Sequence, residues 1–184
     1  MLPATTALLL VDVQKAWDEP YWGERNNPEA EANIAALLAA WRAHGLPVVH
    51  VRHDSRDPNS PLFPGEPGHA FKPEALPLEG EPEFHKSAHG AFVGTNLEAH
   101  LRSRGVDRLV VVGFTTGHCV STTVRLACDL GFKTVVVRDA CAAFELDGPD
   151  GNRVPAEVLH DAGLAELHGE FAMVLPTEAL LQLL

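Results

Sequence analysis

The stretch RLVVVGFTTGHCVSTTVRLACDLGFKTVVVRDA, residues 108–140, decides the fold. It opens with a continuous apolar run over 108–113, which is typical of a strand buried on both faces of a sheet. A turn then leads into a helix over 121–130, which Gly131 ends, and a second apolar run follows over 133–140. Because strand–helix–strand connections of this kind are right-handed crossovers, the two strands are predicted to be parallel.

The same alternation of strand and helix continues on both sides of that stretch. Further strands are predicted over 6–11 (TALLLV), 46–51 (LPVVHV), 83–85 and 171–175 (FAMVL), with further helices over 27–44, over 95–104, from Pro155 and near Pro176, and a loop over 146–154. Together these elements predict a three-layer α/β/α Rossmann-like fold with a six-stranded, mostly parallel sheet. We expect one domain over residues 1–184, since a chain of this length can bury roughly two thirds of its unfolded surface.

The segment over 53–82 breaks this rhythm, because it holds seven of the chain's fourteen prolines and several glycines. Proline is unfavourable in helix interiors and central strands, so the segment is predicted to be a loop. Loops of this length in a small domain commonly bind ligands, and an inert excursion is the alternative. We therefore expect this loop to form one wall of a substrate site.

The charge and the cysteines limit the partners and the compartment. With 14 basic against 25 acidic residues, the net charge of −11 repels nucleic acid and anionic membrane surfaces, so neither is expected as a partner. The three cysteines form no Cys-x-x-Cys pair, which predicts reduced thiols and a cytoplasmic location. The apolar run that ends at Asp12 is too short for a signal peptide or a membrane span, which agrees with that location.

Three reactive side chains follow strands that are predicted to be parallel: Asp12 after the first, Lys86 after the third and Cys119 after the fourth. The carboxyl ends of such strands share one edge of the sheet, where this kind of fold binds ligands. The positive end of the following helix and a nearby lysine would lower the pKa of Cys119, as a thiolate nucleophile requires. Burial would raise the pKa of Asp12 and suit it to proton transfer. Cys128 and Cys141 are interpreted as core residues.

Four segments resemble, in order and spacing, the signature segments of isochorismatase-like cysteine hydrolases, a family that includes nicotinamidases and N-carbamoylsarcosine amidohydrolase. They are LLLVDVQKAW (8–17), KSAHGAFVGTNLEAHL (86–101), VVVGFTTGHCVSTTVRLACDLGF (110–132) and VVVRDACA (135–142). The resemblance implies a catalytic triad of Asp12, Lys86 and Cys119 that cleaves an amide-type C–N bond of a small molecule through a thioester. It also implies a cis peptide between Phe114 and Thr115, with the Thr115 and Cys119 amides forming an oxyanion hole.

Residues near these three in the sequence are expected to bind the substrate. They are Gln14, Trp17, Phe92 and His118, which follow Asp12, follow Lys86 or precede Cys119. Aromatic side chains supply apolar contact area, so Trp17 and Phe92 are predicted to form an aromatic wall.

Metal binding is a separate question, because nicotinamidases carry an Asp-x-His pair after the second strand and a further histidine, which together bind a divalent metal. Here Val51 stands in place of the aspartate, so we predict no metal and no cofactor. His53 and His69 are the two histidines with suggestive spacing, and they would need Asp54 to complete a ligand set.

Two other functions stay open on sequence alone. An isochorismatase-type hydrolase cleaves a vinyl ether and has no use for a thiol nucleophile, whereas a non-catalytic binding protein could keep the same fold. A trapped thioester would distinguish an amide hydrolase from an isochorismatase-type hydrolase. The reactivity of the Cys119 thiol would test whether the chain is a non-catalytic binding protein. The resemblance also implies a homodimer or a higher homo-oligomer.

Overall fold

Eight strands are present in the computed structural model, which describes residues 2–184. They are β1 (Thr6–Val11), β2 (Val48–His53), β3 (Glu83–Lys86), β4 (Arg108–Phe114), β5 (Lys133–Ala142), β6 (Leu146–Asp147), β7 (Arg153–Val154) and β8 (Met173–Leu175). Six of them form one sheet in the order β3-β2-β1-β4-β5-β8, and every neighbouring pair in it is parallel. The predicted six-stranded parallel sheet is therefore confirmed.

Helices cover both faces of this sheet. They are α1 (Ala30–Ala43), α2 (Leu97–Ser103), α3 (Ser121–Asp129), α4 (Ala156–Leu167) and α5 (Thr177–Leu181). On one face, α1 and α5 bury Trp41 and Leu180, and on the other face α2, α3 and α4 bury Leu101, Val124 and Leu167. The predicted α/β/α layering is confirmed. None of the helices within residues 2–184 has the length and apolar character needed to cross a membrane.

The order of the strands places a crevice between β1 and β4. The chain runs outward from β1 to β2 and β3, and then returns to the other side of β1 to begin β4. The carboxyl ends of β1 and β4 therefore meet where the strand order reverses, which is where open parallel sheets bind ligands. At this point Gly113 has a φ of 122°, and a Cβ atom there would lie 2.0 Å from the carbonyl oxygen of Val11. Glycine is required here, because β1 and β4 leave no room for a side chain.

Two local features differ from the expectation. The turn after β4 is a π-helical segment, Thr116–Val120, which precedes α3. The predicted loop over 146–154 contains the antiparallel pair of β6 and β7, closed by a hydrogen bond from the Gly148 amide to the Asn152 carbonyl at 2.8 Å. Strands of two residues are too short to show a periodic pattern in the sequence.

A buried lysine fixes the proline-rich loop to α1. The Lys72 side chain is 4% exposed and contacts the carboxylates of Asp18 and Glu31, the latter at 2.9 Å. Glu31 also accepts hydrogen bonds from two guanidinium nitrogens of Arg25, at 2.7 and 2.8 Å. Burial acts to raise the pKa of Glu31, but the hydrogen bonds and charges of Arg25 and Lys72 outweigh it and hold this pKa at about 2.

Acid is expected to destabilise the protein through Glu31. Its pKa in the folded state lies below its ordinary value of 4.5, so its contribution to stability is complete above about pH 4.5 and is lost as the pH falls toward 2. The difference between these two pKa values corresponds to about 3 kcal/mol. We expect Glu31→Gln to lower the free energy of unfolding by this amount at neutral pH and by much less near pH 2, as measured by urea denaturation.

The matched control for this change is Glu79→Gln, because Glu79 is exposed. It should leave the free energy of unfolding unchanged within about 0.5 kcal/mol at either pH. If Glu31→Gln cost the same amount at both pH values, the loss would come from packing and not from the charge of Glu31.

Candidate active site

Asp12 lies directly after β1 and is completely buried. Its φ of 54° is in the left-handed region, which aspartate tolerates better than most residues. Its Oδ2 atom accepts a hydrogen bond from Lys86 Nζ at 2.7 Å, and neither side chain is exposed. Its Oδ1 atom is also buried and has no hydrogen-bond partner among residues 2–184. One oxygen of Asp12 is therefore fixed by a cation, and the other is available to accept a proton.

Lys86 is the last residue of β3, and the parallel register pairs it with His53 of β2. Lys86 Nζ lies 3.0 Å from His53 Nδ1. Because an ammonium group only donates hydrogen bonds, Nδ1 must accept, and the neutral His53 ring then carries its proton on Nε2. Burial and the charge of Lys86 lower the pKa of His53 to about 4, which agrees with a neutral ring.

The π-helical turn places Cys119 beside these residues. The Cys119 Sγ atom, one carboxylate oxygen of Asp12 and one ring nitrogen of His53 all lie within 4.8 Å of one another. His89 Nδ1 lies 3.7 Å from the same sulfur. The structure thus brings Asp12, Lys86 and Cys119 together at one edge of the sheet. It adds His53, which the sequence indicated only as a possible metal ligand, and His89, which sequence reasoning missed although its position three residues after Lys86 was an available signal.

The electrostatics of Cys119 differ from the expectation. Burial raises the pKa of the thiol, and the Asp12 carboxylate raises it further, whereas Lys86 lowers it. The prediction of a lowered pKa was wrong because Cys119 is only 6% exposed. Burial also raises the pKa of Asp12, and the Lys86 charge opposes this rise. A neutral thiol therefore lies beside a carboxylate of increased basicity, so the proton can pass to Asp12 as the sulfur attacks.

The backbone of the turn that precedes Cys119 has an unusual course. The peptide bond between Phe114 and Thr115 is cis. The Thr115 carbonyl accepts hydrogen bonds from the amides of His118 and Val120, at 3.1 and 3.2 Å. The use of the Thr115 and Cys119 amides as an oxyanion hole stays a prediction.

A buried histidine of α4 supports the same turn. His160 Nδ1 lies 2.8 Å from Thr116 Oγ1, and its Nε2 lies 3.3 Å from Asn27 Nδ2. Asn27 Nδ2 also donates to the carbonyls of Arg138 and Cys141, at 2.9 and 2.7 Å, so both of its protons have nearer acceptors. In either tautomer of the neutral His160 ring, the Thr116 hydroxyl completes the hydrogen bond, because a hydroxyl both donates and accepts. Burial lowers the pKa of His160, which favours this neutral form. No feature of the sequence indicated this role, since His160 lies in an ordinary amphipathic helix.

A cavity of about 230 Å³ lies beside the turn. Its walls include Trp17, Trp22, Phe144, Leu146, Thr115 and His118. The Trp17 ring stacks on Phe144 with centroids 5.7 Å apart, and Trp17 Nε1 donates to the Asp12 carbonyl at 2.5 Å. This aromatic wall is therefore tied to the residue that carries the reactive carboxylate. Trp17 and His118 were expected here, whereas Trp22 and Phe144 were missed.

Two residues that were expected to bind substrate have structural roles. The buried Gln14 donates from Nε2 to the carbonyls of His53 and His69, at 3.1 and 2.9 Å, and its Oε1 accepts from the His53 amide at 2.8 Å. Phe92 packs in the core, with its ring centroid 5.8 Å from that of Phe132. Neither side chain lines the cavity beside the turn, because spacing in the sequence does not show how deeply a loop side chain is buried. A direct contact of either residue with substrate stays a prediction.

His53 and His69, the histidines with suggestive spacing, do not converge on one site. His53 groups with Asp12 and Cys119, whereas His69 groups with Asp54 and His85. Side chains of consecutive residues along an extended chain point to opposite faces of a sheet. The side chains of His53, at the end of β2, and of Asp54, which follows it, therefore lie on opposite faces.

Comparison with known proteins gives several matches over nearly the whole chain. A family model described as the isochorismatase domain matches residues 6–179. The chain is 42% identical over 175 residues to the isochorismatase family protein YrdC of Bacillus subtilis, which covers 95% of this chain and 94% of that protein. It is 29% identical over 198 residues to N-carbamoylsarcosine amidase of Arthrobacter sp., covering 97% and 70% of the two chains. The crystal structure of a hydrolase of the isochorismatase family from Chromobacterium violaceum, 46% identical, has a TM-score of 0.94 and covers 99% of this chain and 94% of that one.

Proposed function

The chain belongs to the isochorismatase family, and we propose that it is a cysteine hydrolase that cleaves an amide-type C–N bond in a small molecule. The family supports a hydrolase, and the similarity to an N-carbamoylsarcosine amidase supports C–N cleavage. The observation that carries the proposal is the buried pair of Asp12 and Lys86 beside Cys119, in which Asp12 Oδ1 has no hydrogen-bond partner among residues 2–184.

The first half of the proposed reaction forms a thioester. The Cys119 proton passes to Asp12 Oδ1 as the sulfur bonds to the substrate carbonyl carbon, and the carbonyl π electrons move onto the oxygen. The Thr115 and Cys119 amides stabilise this oxyanion, with a typical effect of about 3 kcal/mol per donor. As the oxyanion collapses, the C–N bond breaks and Asp12 gives its proton to the leaving nitrogen. Ammonia or an amine leaves, and the acyl group stays on Cys119.

The second half releases the acid. Asp12 takes a proton from water while the water oxygen bonds to the thioester carbon, and the C–S bond then breaks. The Cys119 thiolate recovers the proton from Asp12, so both groups return to their starting state. Lys86 keeps its charge throughout, holds Asp12 Oδ2 so that Oδ1 stays available, and stabilises the negative charge that passes between oxygen and sulfur.

Intact-protein mass spectrometry tests this proposal. Purified protein is first screened against small amides, ureas and carbamoyl compounds for ammonia release. The reaction with the substrate found in this screen is then stopped with acid during turnover. We expect a mass increase equal to the acyl group, located on the peptide that contains Cys119. Turnover of a vinyl ether without any adduct would support the isochorismatase-type reaction instead. Binding of small amides without turnover would support a non-catalytic binding protein.

His160 is expected to affect the rate through the turn that it supports. His160→Ala removes a hydrogen bond to Thr116 that is worth about 1 kcal/mol, so we expect kcat to fall about fivefold. Thr116→Val removes the other partner and should give a similar loss, and the double variant should lose little more than either single variant. Asp161→Asn, an exposed position in α4, is the control for kcat measurements. An unchanged kcat in both single variants would contradict the supporting role.

Three broader expectations accompany the proposal. We propose that the chain acts as a single domain, that it assembles as a homodimer or a higher homo-oligomer, and that it works in the cytoplasm on a small molecule. Light scattering on the purified protein measures the oligomeric state.

A further inference from the structure

We propose that Asp54, His69 and His85 form a binding site for one divalent transition metal, separate from the candidate active site around Cys119. Asp54 Oδ1 lies 2.7 Å from His69 Nε2 and 3.0 Å from His85 Nδ1. The three possible ligand atoms lie within 4.8 Å of one another. The sequence predicted no metal because Val51 stands in place of the aspartate of the nicotinamidase pattern, and His85 was not recognised as a partner of His69 and Asp54.

The backbone holds the three residues in place from three different segments. Asp54 follows β2, and its amide donates to the Lys86 carbonyl at 2.7 Å, which fixes it against β3. His85 belongs to β3, the edge strand. His69 ends a short 3₁₀ turn of the proline-rich loop, and the Gln14 side chain binds its carbonyl at 2.9 Å. A metal at this position would therefore join the loop to the edge of the sheet.

The proposed metal site and the candidate active site around Cys119 lie on opposite faces of β3. Lys86 and His85 are neighbours in this strand, so their side chains point in opposite directions. Lys86 is buried and contacts Asp12, whereas the His85 side chain is 49% exposed. The two sites therefore lie on the same strands but have no side chain in common.

Both nitrogens of His85 face carboxylates. Nδ1 faces Asp54 Oδ1, and Nε2 faces Glu83 Oε1 at 2.9 Å. With a metal ion bound between Nδ1 and Asp54, the proton of the imidazole lies on Nε2. The Glu83 carboxylate then accepts the Nε2 proton, which is the usual arrangement behind a metal-binding histidine.

The donor set indicates the class of metal. Two imidazole nitrogens and one carboxylate suit Zn²⁺, Co²⁺ or Ni²⁺ better than Mg²⁺ or Ca²⁺, which prefer oxygen ligands. With metal–ligand distances of about 2.1 Å, neighbouring ligand atoms lie about 3.4 Å apart, so Asp54 Oδ1 would have to separate by about 0.7 Å from His69 Nε2 and by about 0.4 Å from His85 Nδ1. The exposed side of His85 leaves room for water as a fourth ligand. The charge of Asp54 offsets part of that of the ion, whereas Glu83 also pairs with Arg52 at 2.8 Å.

Cobalt binding tests the site directly. Protein treated with EDTA and desalted is titrated with CoCl₂, and visible absorption is recorded for the wild type and for Cys119→Ser. We expect one equivalent of Co²⁺ in both, and at least a tenfold loss of affinity in His85→Ala and Asp54→Asn. Zinc in large excess over its dissociation constant should raise the Tm of Cys119→Ser by about 5 °C and leave that of Cys119→Ser/His85→Ala unchanged.

Each alternative gives a different result in these experiments. His44→Ala, a change at an exposed histidine of another segment, is the control and should bind cobalt like the wild type. Binding that disappears in Cys119→Ser would place the metal at the cysteine and overturn the proposal. No cobalt spectrum and no zinc effect on Tm would also overturn it, and would leave Asp54, His69 and His85 as a hydrogen-bonded cluster. The readouts do not depend on catalysis.

Discussion

Replacement of Cys119 by alanine is expected to lower kcat/KM by about 10⁴-fold or more and to abolish the acyl-enzyme adduct. The proposed reaction has no other nucleophile, since the remaining thiols lie elsewhere: Cys141 in the apolar core and Cys128 on the far part of α3. Losses of this size are typical when a covalent nucleophile is removed and only binding and oxyanion stabilisation remain. Steady-state kinetics with the substrate found in the screen measures the loss.

The control for this change is Cys128→Ser. Cys128 is half-buried and makes only a long contact from Sγ to the Glu170 carbonyl, at 3.9 Å. This variant should keep kcat/KM within about threefold of the wild type, because the change affects no group near the site. Hydrolysis by Cys119→Ala at a rate close to that of the wild type would exclude a thioester mechanism.

Replacement of Lys86 by methionine is expected to cost both stability and activity. Methionine fills a similar volume, but it leaves the carboxylate of Asp12 without a partner in a fully buried position. Breaking one side of a buried ion pair typically lowers the free energy of unfolding by about 3–5 kcal/mol. Activity should fall by at least about 10²-fold, because Asp12 would take up a proton and could no longer serve as a base. Urea denaturation and steady-state kinetics measure the two effects.

The double variant Asp12→Asn/Lys86→Met separates these effects. It removes both charges, so it should recover much of the stability lost in Lys86→Met. It should remain inactive, because neither residue of the pair is left. A Lys86→Met protein as stable as the wild type would mean that Asp12 is already protonated in the folded state, and the proposed role as a base would fail.

Most of the fold could be predicted from the sequence because its strands are buried on both faces. The run over 108–113 needs no knowledge of its neighbours to be recognised, and glycines at 105 and 131 mark the ends of two helices. The hairpin of β6 and β7 could not be predicted, since two residues on each side show no periodicity. The π-helical turn was also missed, because its first residues look like the start of α3.

The candidate site was predicted in part. Asp12, Lys86 and Cys119 could be placed together because each follows a parallel strand, and the topology brings those ends to one edge. The direction of the thiol pKa could not be predicted, because it depends on burial by segments far away in the chain. The same reason applies to Gln14, whose partners are the backbone of His53 and His69.

The glycine at the end of β4 constrains how this sequence can change. A side chain at Gly113 would press on the Val11 carbonyl and push β1 away from β4. Asp12 follows β1 and Cys119 follows β4, so the same push would widen the gap between base and sulfur. In a library that samples every substitution at 109–113, the valines should exchange with other aliphatic residues while position 113 stays invariant. Selection for folding and selection for chemistry would therefore act on the same codon.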